Sequence, residues 1–147
     1  MESLGSLIAD TSRMMRRSFD GRARSIGVTR PQWQVLVTLA RHEGINQGGL
    51  AEQLDVEPIT VCRMVDRLQD AGLVERRADA ADRRSWRLHL TDRAHSLLEQ
   101  LRPMAQAMMD DAMEGIEPDE RIRLIAMLEQ VRHNLSRKLT EQAAANG

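Results

Sequence analysis

The sequence predicts a mainly α-helical α+β fold, a series of amphipathic helices interrupted by one β-hairpin. Three observations carry that prediction. Apolar residues recur at i, i+3 and i+4 along most of the 147 residues, the period of helices with one buried face. That period breaks at Asp82–Thr91, DRRSWRLHLT, where Trp86, Leu88 and Leu90 alternate with Ser85, Arg87 and His89 as in a half-buried strand. Just upstream, LVERRADAAD reads as a second short strand entering a turn, so the two strands pair as a hairpin with Arg83 and Arg84 at its tip.

The first helix is expected over about Glu2 to Ile26, because Leu4, Leu7, Ile8, Thr11, Met14, Met15, Ser18 and Phe19 follow the helical template and Gly27 ends it. Thr29 and Gln32 then form a capping box for a second helix, with Trp33, Leu36, Val37 and Ala40 as its inner stripe. Asn46 can cap a short third helix carrying Leu50, Ala51 and Leu54, although Gly48 and Gly49 in its first turn weaken it. After a tight turn at Asp55 to Glu57, Pro58 opens a fourth helix that runs to Ala71 and is closed by Gly72. Val61, Met64, Val65 and Leu68 make its buried stripe, which leaves Glu57, Thr60, Arg63 and Arg67 on outer positions.

Beyond the hairpin, Thr91 caps a long helix bearing Ala94, Leu97, Leu98, Leu101, Met104, Ala105, Met108, Met109 and Ala112, with a kink expected at Pro103. Pro118 opens the last helix, where Leu124, Leu128, Val131, Leu135 and Leu139 step by four and three. A helical pair followed by a hairpin is a helix-turn-helix with a wing, and this places the module at 29–103. Residues 1–28 and 104–142 are expected to form a helical dimerisation region, and 143–147 a disordered tail. Leu4, Leu7, Ile8, Met108, Met109, Leu128, Val131 and Leu135 are the expected dimer contacts, because a thin two-lobed monomer cannot bury such long apolar stripes.

Charge is informative through its distribution. The net charge is −1, which excludes a protein that coats nucleic acid by charge alone. Residues 1–103 nevertheless carry +2 and residues 104–147 carry −3, and four arginines stand against one acid in 83–93. Lys138 is the only lysine among 21 basic residues. The lone Cys62 cannot form an internal disulfide, so a reducing cytoplasm fits best, and charged residues interrupt the N-terminus before any signal-like apolar run develops. No metal site is expected, since His42, His89, His95 and His133 lack partners at ligand spacing, and no cofactor motif is present. An enzyme is not expected either, for want of a nucleophile elbow, phosphate loop, zinc motif or spaced carboxylate pair.

Taken together, these elements and residues resemble the MarR family of winged helix-turn-helix regulators, and within it the SlyA branch, from about Leu4 to Leu139. The most specific parts are LAEQLDVEPITVCRMVDRLQDAGLVERR, at Leu50 to Arg77, and the D-x-R of Asp82 and Arg84 followed by Leu88, Leu90 and Thr91. The resemblance implies a cytoplasmic, nucleoid-associated bacterial homodimer that binds a pseudo-palindromic operator in double-stranded DNA. It implies repression, or activation by displacing a silencing protein. Carried over by position, Thr60, Cys62 and Arg63 face bases or phosphates in the major groove, Arg84 enters the minor groove, and Asp82 braces the wing. SlyA-like relatives take aromatic carboxylates, which implies a tentative effector site at Arg13, Arg16 and Trp33. The chain departs from the family pattern at Asp55, where glycine is common, at the Gly48–Gly49 pair, and at Cys62, which replaces a small hydroxyl residue.

Several residues admit plainer readings. Arg83 divides evenly between phosphate contact and idle surface charge. Arg67, although on the outer face with Arg63, is favoured for pairing with Asp70, as Arg63 could pair with Asp66. Trp86 shares a strand face with Leu88 and Leu90 and is expected to pack in the core. Cys62 is favoured as an inert small residue over a redox switch, and the methionines at 14, 15, 104, 108 and 109 as core and dimer packing over a ligand pocket. Two rival functions stay open, a winged module for protein contacts alone and a helical small-molecule carrier.

Overall fold

The computed structural model describes residues Met1–Gly147 as six helices and one two-stranded antiparallel sheet. Local side-chain chemistry sets most of the boundaries. Helix α1 (Leu4–Arg24) starts one residue after Ser3, whose hydroxyl accepts the Ser6 N–H at 3.1 Å, so it is shorter at both ends than the apolar pattern suggests. Helix α2 (Arg30–Arg41) begins with the expected capping box between Thr29 and Gln32. Helix α3 (Gln47–Leu54) is capped by Asn46, whose side chain accepts the Gly49 N–H at 2.8 Å. Gly49 is there for space: a Cβ at that position would stand 2.7 Å from Ile45 Cγ1.

Asp55 closes α3 in the left-handed region, at φ 53° and ψ 48°, a conformation that Asp tolerates better than most residues. Helix α4 (Pro58–Asp70) follows after two residues and stops at Gly72, at φ 74°. Strands β1 (Val74–Ala78) and β2 (Trp86–Leu90) pair from Val74 opposite Leu90 to Ala78 opposite Trp86. Thr91 then does two jobs: its hydroxyl donates to the Gly72 carbonyl at 2.6 Å and accepts the Ala94 N–H at 3.2 Å, capping helix α5 (Asp92–Ala112). That helix passes through Pro103 unbroken.

Within Met1–Met108, one of two compact units, the apolar side chains form two clusters. The larger joins Val35, Leu36 and Leu39 of α2, Leu50 and Ala51 of α3, Val61, Val65 and Leu68 of α4, the strand residues Val74, Leu88 and Leu90, and Ala94 of α5. The α2 stripe is rotated from the expected one: Val35 and Leu39 are buried, and Ala40 is exposed. The reason is that α2 is enclosed from several sides by α3, α4 and β2, so its buried arc is wider than a single amphipathic row. A smaller cluster of Phe19, Ala23, Val28 and Leu101 binds α1 to α5, with Trp33 packed edge-on to Phe19 at a ring separation of 4.8 Å. Through these contacts α1 belongs to the same unit as the winged module.

The unit Met109–Gly147 holds the end of α5 and helix α6 (Pro118–Ala145). Helix α6 runs 28 residues without one buried side chain. It also continues to Ala145, so 143–145 are helical where a disordered tail was expected. Three consecutive alanines, the strongest helix formers, carry it there.

Asp20 fastens α1 to α2. Its carboxylate accepts the Trp33 indole N–H at 2.8 Å and the Arg30 Nε at 2.6 Å. Burial pushes this carboxyl up, but the hydrogen bonds from Arg30 and Trp33, with the charges of Arg30 and Arg24, outweigh that effect and hold it below its usual value. A depressed carboxyl stabilises the fold above the unfolded value near pH 4, and the contribution is lost as pH falls through the lowered folded value. Asp20→Ala should therefore cost about 1–2 kcal/mol by denaturant titration at pH 7, and the difference from wild type should close as the titration is repeated toward pH 3.

Candidate nucleic-acid interface

The hairpin register decides which wing residues point inward. Val74, Arg76 and Ala78 lie opposite Leu90, Leu88 and Trp86, and side chains directly across an antiparallel pair share a face. Leu88 and Leu90 are buried on that face as expected, but Trp86 is 48% exposed. The expectation that Trp86 packs in the core is corrected: it lies at the distal end of the inner row, where it lines a cleft with Gln47, Cys62, Gln69 and Arg76 and is not part of the buried cluster.

Arg76 occupies the middle of the inner face, with only 16% of its side chain exposed. Its guanidinium donates to Gln47 Oε1 on α3 at 2.9 Å, to Gln69 Oε1 at 2.6 Å and Asp66 Oδ1 at 2.6 Å on α4, and more weakly to the Cys62 carbonyl at 3.4 Å. One planar fork thus ties the wing to both helices of the helix-turn-helix. Sequence reasoning missed it. The signal was present in the alternation of Val74 and Arg76, which puts an arginine on the inner face of a strand.

A backbone contact anchors the same wing from the other side. Gly44 N–H donates to the Leu88 carbonyl at 2.8 Å and Leu88 N–H to the Ile45 carbonyl at 2.9 Å, so the segment before α3 runs beside β2 like a third strand. Arg77 and Arg87 face each other across the outer surface, and each finds a carboxylate, Glu75 at 3.2 Å and Asp79 at 2.9 Å.

The tip is built on two aspartates. Asp82 Oδ1 accepts the Arg84 N–H and its carbonyl accepts the Ser85 N–H, both at 3.0 Å. Asp79, not singled out from sequence, accepts the Ala81 N–H at 2.9 Å as well as Arg87. The Ala81 hydrogen bond, opposed by burial and helped by the charge and hydrogen bond of Arg87, holds the Asp79 carboxyl below its usual range. The tip therefore keeps this support above about pH 4 and loses it as the pH falls through the lowered value.

What remains on the surface is cationic and unengaged. Arg83 and Arg84 at the tip, and Arg63 and Arg67 on α4, are exposed and none makes a side-chain hydrogen bond or ion pair. The favoured pairing of Arg67 with Asp70 does not form. Asp66, the alternative partner of Arg63, is taken by Arg76. Thr60 is exposed beside them, and Cys62 is a half-buried free thiol at the edge of a cleft lined by Gln47, Gln69, Arg76 and Trp86.

The residues expected to hold a carboxylate are occupied otherwise. Arg13 pairs with Asp10 at 2.9 Å, Arg16 donates to Ser12 at 2.7 Å, and the Trp33 indole N–H is bound to Asp20. The nearby open cleft, about 370 Å³, is lined instead by Arg17, Asp20, Arg24, Thr29 and Arg30.

Residues 28–86 match the model of the MarR family. The solved transcriptional regulator PA3341 is 34% identical and superposes with a TM-score of 0.80, over 92% of this chain and 99% of its own. A MarR transcriptional regulator from Methanosarcina mazei Go1 is 26% identical, with a TM-score of 0.81 over 91% and 96% of the two chains. A mutant MarR from E. coli, complexed with operator DNA, is also 26% identical and superposes at 0.73 over 87% and 92%.

If the Arg76 fork holds the wing, Arg76→Met, which keeps the apolar stem and removes the donors, should lower stability by about 1–3 kcal/mol. Hydrogen exchange of the β1 and β2 amides should accelerate more than that of α5.

Proposed function

Because the chain belongs to the MarR family of transcriptional regulators, we propose that it is a dimeric, sequence-specific DNA-binding regulator of the SlyA-like type, acting on a pseudo-palindromic operator in the cytoplasm. The single observation that carries this reading is the set of four unengaged arginines, Arg63, Arg67, Arg83 and Arg84, on the recognition helix and wing tip of a protein whose other wing arginines are neutralised internally.

In this reading α4 enters the major groove with Thr60, Cys62, Arg63 and Arg67 toward it, and Arg84 enters the adjacent minor groove. Asp82 shapes the turn that presents Arg84, and Arg83 contacts a phosphate. Phosphate contacts supply most of the affinity and its salt dependence, whereas Thr60 and Arg63 contribute to base choice. Two copies set the spacing, at about 34 Å between recognition helices.

The dimer reading is supported by apolar side chains that the chain itself leaves uncovered. Leu4, Leu7, Ile8 and Met14 on α1 are 39–61% exposed, and Leu128 and Leu135 on α6 stand out with Ile122, Ile125, Met127 and Leu139. Met108, Met109 and Val131 are half-buried. A second copy would bury these faces, so residues 1–28 and 104–142 form the dimerisation region in this proposal.

For the effector we propose a small aromatic carboxylate, with the site moved from Arg13 and Arg16 to the neighbouring cleft. Arg17, Arg24 and Arg30 there stand against the single carboxylate of Asp20, and Trp33 lies behind it through its bond to Asp20. Binding that favours one half-site distance over another would repress or release transcription.

Fluorescence anisotropy with genomic promoter fragments tests the reading, on protein whose dimeric mass is checked by light scattering. Wild type should bind a subset of fragments with steep salt dependence. Arg84→Ala should lose about tenfold or more in affinity, with the salt slope reduced by about one, and salicylate-like acids should shift the wild-type midpoint. Salt-independent binding, or an Arg84→Ala variant equal to wild type, would remove the wing from the mechanism.

A further inference from the structure

Between α1 and α6 only two large apolar side chains stand well exposed, Ile59 at 60% and Trp86 at 48%. Trp86 lies at the distal end of the inner strand row, outside the buried cluster. Ile59 has no such account: it sits in the first turn of α4, where an isoleucine neither caps the helix nor packs beneath it. Each residue turns about 100° around a helix, which puts Ile59 on the side of α4 away from the buried Val61, Val65 and Leu68. It shares its row with Arg63, one turn on, and is flanked by exposed Thr60 and Arg67. A single β-branched hydrocarbon is therefore set among polar and cationic side chains at the leading end of the helix that meets the duplex.

We propose that Ile59 is a specificity-determining residue, packed against the C5-methyl group of a thymine in the major groove. The inference rests on the DNA-binding reading above. Its chemistry is selective, because among the base edges in that groove only thymine offers an apolar group, and the other three offer hydrogen-bond donors and acceptors that a hydrocarbon leaves unpaired. Arg63 and Arg67 have no internal partner to draw them away, so they are available to hold the helix on the phosphates while Ile59 discriminates.

The test uses the full chain and a duplex selected by the wild-type protein from genomic fragments. Each thymine is replaced singly by deoxyuridine, which removes the methyl group and keeps base pairing, and affinities are read by fluorescence anisotropy at fixed salt. Wild type should lose about fourfold at one thymine in each half-site, the value of burying one methyl group. Ile59→Ala should bind the thymine and deoxyuridine duplexes equally at that position, with an unchanged thermal melt. Ile59→Val, which keeps part of the hydrocarbon, should fall between them. A wild type indifferent to every replacement overturns the inference, as does an Ile59→Ala variant that keeps the wild-type ratio. A protein that binds no duplex in a salt-dependent manner overturns the DNA-binding reading itself, and this inference with it.

Discussion

Two contacts hold the wing in place, the Arg76 guanidinium under its inner face and the Gly44–Ile45 backbone along β2. A hairpin of two five-residue strands is marginal in water, and the buried cluster takes in only its base, at Val74, Leu88 and Leu90. Arg76 supplies what packing cannot at that distance, by placing a rigid set of donors under the sheet and engaging α3 and α4 at once. Its acceptors are a carboxylate, two amide oxygens and a backbone carbonyl, so the charge is met and four of the five N–H donors are engaged. The positions farther out on the wing, including the tip built by Asp79 and Asp82, are placed by that junction together with the Gly44–Ile45 backbone, to which Arg87 also links Asp79.

The same junction explains how a chain of net charge −1 can offer a cationic surface. Asp66 neutralises Arg76, Asp79 neutralises Arg87, Glu75 neutralises Arg77 and Asp20 neutralises Arg30. Asp66 and Asp20 are spent on arginines that tie one element to another, Asp79 on one that braces the hairpin, and Glu75 on a surface neighbour. Four of the arginines left over lie together, on the outer face of α4 and at the hairpin tip. Net charge is therefore a poor guide to partner here, and the pairing pattern a better one.

Apolar surface is divided in a comparable way. The unit Met1–Met108 closes its own core around α2, whereas α6 buries nothing and carries a run of exposed isoleucine, leucine and methionine. A helix of that composition is stable in a folded protein only when another surface covers it, which is the reason the dimer proposal rests on α6 more heavily than on α1.

By itself the sequence determined what depends on near neighbours. The caps at Thr29, Asn46 and Thr91, the left-handed Asp55, the period-two strand at Trp86 to Leu90 and the Asp82 turn are all settled by side chains within a few residues of the backbone they serve, so local rules reach them. Only the tertiary structure decided the rest, because it turns on which distant group arrives first. Asp66 had a helical neighbour at Arg63 and was claimed instead by Arg76, ten residues on in strand β1. Arg67 was left without the partner its spacing offered. Trp86 lay on the correct face, but the depth of the core beneath it was not written in its alternation. The direction of Ile59 was decided by the burial of Val61, Val65 and Leu68 on the opposite side of α4.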